Sequence, residues 1–119
     1  MKYRYITSIS KNMMNVKTDI SITEFFSYII MVFGVLMDHV TTYLGLKQGM
    51  YESNVLVKYF LGCGVWILFD AMLVIGVMAT SYMVARATNG ERLDLVLIFP
   101  LILGFVRLAA GIWNLNIMP

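Results

Sequence analysis

Three apolar stretches of this 119-residue chain are each long enough to cross a membrane, and each is interrupted by a charged residue: Asp38, Asp70 and Arg107. Crossing ~30 Å of hydrocarbon takes about 20 helical residues, and a helix suits the task because it satisfies its own backbone hydrogen bonds. A charge at that depth costs about 2.5–3.5 kcal/mol by insertion scales unless a partner or water compensates it. Two carboxylates and one guanidinium placed there are expected to meet.

Composition supports the lipid setting. Hydrophobic residues make up 60% of the chain, charged residues 13%, and the mean hydropathy is +0.78. Soluble domains carry about 25% charged residues. The net charge is only +2, but Lys2, Arg4, Lys11 and Lys17 all precede the first apolar stretch. We read this basic arm as a topology signal beside anionic lipid, with no nucleic-acid partner. One cysteine excludes an intramolecular disulfide, and one cysteine with one histidine supplies no zinc-ligand set. With no nucleophile–base constellation or phosphate-binding glycine loop, we expect no enzyme activity, cofactor, metal or catalytic residues.

Local signals divide the chain into a polar tail (1–20) and a transmembrane helical domain (21–119). Ser21-Ile-Thr-Glu24 matches a capping box and opens a helix expected over 22–46, closed by the Gly45-Leu-Lys-Gln-Gly49 segment. Its apolar run is too long for a cleaved signal, so we expect a retained span. From Val55 to Arg86 there are too many residues for one simple crossing. Gly62-Cys-Gly64 offers a break, predicting a short interfacial or re-entrant helix over 55–61 and a span over 65–86; one long tilted helix is the alternative. Thr88-Asn-Gly-Glu91 repeats the capping-box pattern before a third span over 92–116, which contains Pro100 and is expected to kink there. The fold class is therefore all-α: an integral membrane bundle of three spanning helices and a short fourth. Six basic residues flank one side (the tail, Arg86 and Arg92) and two the other (Lys47 and Lys58), which places the N-terminus inside and the C-terminus outside a cell membrane.

Depth and face both bring the charges together. At 1.5 Å per residue, Asp38 and Arg107 lie ~13 Å, and Asp70 ~9 Å, from the outer ends of their helices. Gly34, Asp38, Thr41 and Gly45 form a small and polar stripe on the first span, with Thr42 beside it; Pro100, Gly104, Arg107, Gly111 and Asn114 form one on the third. Asp70 shares a face with Trp66, Leu73 and Val77. Such stripes let helices approach closely, and three helices enclose little, so self-association or a membrane-protein partner is expected to cover them. His39 points about 100° away from Asp38 around the helix, so a catalytic Asp–His pair would need its contact from another helix; the ordinary expectation is a hydrogen bond to a neighbouring backbone or side chain. Tyr43, Tyr51, Tyr59, Trp66 and Trp113 fall near the outer boundary, and Tyr28 and Tyr82 near the inner, where aromatic anchors belong.

Asp38-x-x-Thr41-Thr42 followed by Gly49-x-x-Glu52-x-Asn54 resembles a family of small prokaryotic multi-pass membrane proteins of unknown function, over about Phe25 to Asn116. The resemblance implies the multi-pass fold and singles out Asp38, Thr41, Thr42, Glu52 and Asn54; it implies no activity. Where that pattern commonly has Pro after the Asn, this chain has Val55, and Asn54 still suits a helix N-cap. Two functions fit the polar residues. One is a structural or assembly subunit whose Asp38–Asp70–Arg107 network, with His39, Thr41, Thr42 and Asn114, fixes packing. The other is an oligomeric channel or transporter for protons, cations or a small polar ligand, with Glu52 and Asn54 at its mouth. A phage-type holin also fits the size and number of spans.

Overall fold

Ser21 starts the fold as its sequence predicts. Its hydroxyl accepts from the Glu24 N–H at 3.1 Å and the Glu24 carboxylate accepts from the Ser21 N–H at 3.4 Å, closing a capping box. A computed structural model describes residues 19–119; the basic residues of the tail lie outside them. The described residues are all-helical, with α1 (Ile22–Lys47), α2 (Val55–Gly62), α3 (Trp66–Ala87) and α4 (Leu93–Ile117). Helices α1, α3 and α4 are long and apolar enough to span a membrane, and α2 is the short fourth element. The protein is a multi-pass membrane protein by this architecture.

The long-helix alternative for residues 55–86 is not adopted. Gly64 takes φ +70°, a left-handed conformation that glycine reaches at no steric cost, and the Val65 N–H turns back to the Phe60 carbonyl. The chain therefore breaks there and begins a new helix at Trp66, one residue later than expected.

The expected second capping box does not form. Asn89 and Gly90 take positive φ, and the Gly90 N–H returns to the Ala85 carbonyl, so this segment closes α3 instead of opening α4. Thr88 donates its hydroxyl to the Val84 carbonyl, and α4 begins at Leu93 without a side-chain cap. Helix α4 runs through Pro100, which is fully buried in the bundle.

Helices α1 and α4 are the closely packed pair, and α3 leans on both less extensively. The two small-residue stripes make this pairing possible. A methyl group added at Gly34 would collide with the backbone of Gly104, and one added at Gly104 would stand 2.8 Å from the Met31 backbone. Gly111 sits over the Asp38 backbone nitrogen, 3.1 Å from where its own Cβ would lie. The stripes are covered within the chain, by each other. Large apolar side chains such as Phe33, Ile75 and Phe105 are more than half exposed around the outside, as lipid contact requires.

Candidate functional site: a forked arginine beneath a polar cavity

Asp38 projects from α1, Asp70 from α3 and Arg107 from α4, and the three converge. Arg107 donates Nη1–H to Asp38 Oδ2 and Nη2–H to Asp70 Oδ1, each at 2.7 Å. One guanidinium thus ties three helices. Its planar fork fits two separate carboxylates in a way an ammonium cannot. Asp38 is 7% exposed and Asp70 2%, so both carboxylates are largely withdrawn from the surroundings of the bundle.

The depth of this layer follows from the helix ends. Asp38, Asp70 and Arg107 are ~24, ~26 and ~21 Å from the helix ends on the tail side, at 1.5 Å per residue. Asp70 lies only one turn below the start of α3, shallower within its helix than the break expected at Gly62–Gly64 implied. It still meets Arg107, because α3 starts deeper than the outer ends of α1 and α4.

His39 has its nearest ionisable neighbour on another helix. Nδ1 lies 3.3 Å from Asp70 Oδ2 without forming a hydrogen bond, and both atoms are buried with no partner among the described residues. The imidazole stacks on Trp66, ring centroids 4.1 Å apart and planes 10° from parallel. Trp66 is consequently a buried wall of the layer and not a lipid-facing anchor, and Tyr28 is likewise buried. Tyr43, Tyr51, Tyr59 and Trp113 do face outward.

Above the charges, the Asn114 amide donates to Thr42 Oγ1 at 3.0 Å and to Thr41 Oγ1 at 3.3 Å, joining α4 to α1 a second time. Thr41 donates its own hydroxyl back to the Met37 carbonyl at 2.8 Å. Glu52 and Asn54 shape the α1–α2 loop. The Glu52 carboxylate accepts from the Asn54 N–H at 2.7 Å, and Asn54 Oδ1 caps α2 by accepting from the Leu56 and Val57 N–H groups. Both residues nevertheless share a cavity with the charged layer. A cavity of about 230 Å³ is lined by Asp38, Thr42, Glu52, Asn54, Trp66, Arg107 and Asn114, among others.

Comparison with protein-family models, curated proteins and solved structures finds no match to this chain. The residues themselves carry the reading.

Sequence reasoning missed a second ion pair. Glu24 Oε2 lies 2.9 Å from Arg86 Nη2, Glu24 is completely buried, and the Tyr28 hydroxyl donates to its other oxygen at 3.0 Å. Arg86 also stands over the Tyr82 ring, 4.6 Å from its centroid. The capping box concealed this role, because Glu24 already had a local explanation; the signal was a carboxylate and an arginine at the same boundary. Helix α3 is thus fastened near both ends, by Asp70 and by Arg86. Among the described residues, no cluster of three or more His, Cys, Asp or Glu side chains is placed to hold a metal ion.

Proposed function

We propose that the protein is a structural or assembly element of the membrane, in which the Asp38–Arg107–Asp70 fork locks three spanning helices in register. The observation that carries this reading is the fork itself: both of its contacts are 2.7 Å long and each reaches a different helix. A buried pair of this kind holds register because breaking it strands an uncompensated charge, at a cost of about 3–5 kcal/mol. The resemblance of the Asp38, Thr41, Thr42, Glu52 and Asn54 pattern to small multi-pass membrane proteins belongs to the same proposal, as does a cell-membrane location with the N-terminus inside. So does association with further copies or a membrane partner. Since the α1 and α4 stripes cover each other, the surface offered for it is α3, which buries only Trp66, Asp70, Ser81 and Ala85.

One observation favours a second reading. Two carboxylates share one guanidinium, and Asp38 and Arg107 line a polar cavity, so the layer has both the charge and the space to take a proton, a cation or a small polar ligand for transport. Reconstituted vesicles separate the two. On the structural reading, Arg107→Gln lowers stability in detergent, and wild-type vesicles stay tight to ions. Proton or cation flux that Asp38→Asn abolishes while the fold survives would replace it with the transport reading.

A further inference from the structure

One carboxylate of the charged layer is left without its own cation. Asp38 and Asp70 divide the single positive charge of Arg107, each through one oxygen. The second oxygen of Asp70 is buried with no hydrogen-bond partner among the described residues, and so is His39 Nδ1, which faces it at 3.3 Å. A bare ring nitrogen there sets lone pair against lone pair. The missing component is a proton.

Two observations favour a positively charged ring over a neutral one. The contact forms no hydrogen bond, so a neutral N–H gains little from it, whereas attraction between opposite charges needs no particular direction. The ring also lies flat on Trp66, with centroids 4.1 Å apart and planes 10° from parallel, where the negative face of the indole attracts a cation. Among the described residues, the ionisable partner of His39 is Asp70 on α3. Arg107 on α4 holds the other Asp70 oxygen, and Asp38 on α1 is engaged by Arg107. The groove that His39 and Asp70 share is otherwise lined by apolar residues of α1 and α3, with none from α2. The His39 side chain is 15% exposed, which leaves the ring open to proton exchange.

We propose that His39 is a proton-binding site that pins α3 to α1 beside the fork, making the stability of the bundle sensitive to pH. With the proton bound, charges alternate along Asp38, Arg107, Asp70 and His39 and sum to zero. Unfolding separates the ring from Asp70 and Trp66, so the folded protein binds this proton more tightly than the unfolded chain. The stabilisation is therefore present on the acid side and is lost as pH rises through the titration of His39. The proposal rests on the structural reading, since it adds a tie to the same layer. The two fail separately: Arg107→Gln that leaves stability unchanged removes the fork, while the protonation of His39 is read directly from its ring.

His39 is the sole histidine, so nitrogen-15 labelling of histidine gives its ring nitrogens an unambiguous magnetic-resonance signal in the full chain in detergent. The wild-type ring is expected to hold its proton down to a proton concentration about tenfold lower than the ring of Asp70→Asn does. Thermal denaturation supplies the second readout. The wild-type melting temperature is expected to fall by about 4 °C or more between pH ~5 and ~8. His39→Gln, which can hydrogen-bond but cannot titrate, and His39→Phe, which keeps an aromatic ring against Trp66, are both expected to lose that step. The proposal is overturned if the wild-type ring gives up its proton at the same pH as free histidine, if Asp70→Asn leaves its titration unmoved, or if either His39 variant keeps the wild-type pH dependence.

Discussion

Glu24 and Arg86 form a 2.9 Å ion pair that ties the first turn of α1 to the last turn of α3. The same carboxylate holds the Ser21 N–H and the Tyr28 hydroxyl, so one buried side chain serves a helix cap, a tyrosine and an interhelical bond. Glu24→Ala removes all three and leaves Arg86 unpaired. We expect a loss of about 3 kcal/mol, at the low end for a broken buried pair because Arg86 can extend towards the lipid headgroups. Glu24→Gln keeps the cap and tyrosine contacts and is expected to lose less. Equilibrium denaturation in detergent measures both.

The contact between Gly34 and Gly104 allows no side chain on either. Gly34→Ala forces the backbones of α1 and α4 apart, and overpacking of this kind costs about 1–3 kcal/mol. Gly76 on α3 has open space where a side chain would go, so Gly76→Ala serves as the matched control with no loss. Thermal denaturation of the two variants is expected to separate them by several degrees (a shift of roughly 4–8 °C per kcal/mol for small domains).

The Asn114–Thr42 hydrogen bond is a smaller contribution. Interhelical bonds in membranes average about 0.6 kcal/mol by double-mutant cycle, with a ceiling near 1.7. Asn114→Leu and Thr42→Val, alone and combined, are expected to show a coupling in that range. Strict additivity would remove this bond from the account.

The charged layer was legible because helical rise converts sequence position into depth. Counting from the helix ends was enough to predict that Asp38 and Arg107 share a level, and the small-residue stripes indicated which faces of α1 and α4 meet. Asp70 was placed less well, since its depth depends on where the chain breaks, and that is decided by the left-handed turn at Gly64. Other features resist local reading. Glu24 matches a capping box four residues long, while its ion-pair partner is 62 residues away. Thr88–Glu91 matches the same pattern, but the positive φ at Asn89 and Gly90 commits those residues to the end of α3. Trp66 reads as an interfacial anchor until its stacking on His39 is seen.

Topology can be tested on the chain as it stands. Cys63 is the sole cysteine and lies exposed in the turn between α2 and α3. With the N-terminus inside, that turn faces outward. A membrane-impermeant maleimide added to intact cells is expected to label Cys63, and labelling only after the membrane is opened would reverse the orientation.

A double-mutant cycle on the fork shows whether Arg107 holds the three helices in register. Asp38→Asn, Arg107→Gln and the double variant are compared with wild type by equilibrium denaturation in one detergent. If the fork holds the helices in register, Arg107→Gln is the more damaging single change, because it leaves two buried carboxylates facing each other. The double variant then recovers part of the loss, with a coupling energy of about 1–3 kcal/mol. Effects that simply add, with Arg107→Gln no worse than Asp38→Asn, would mean that the fork does not hold the helices in register.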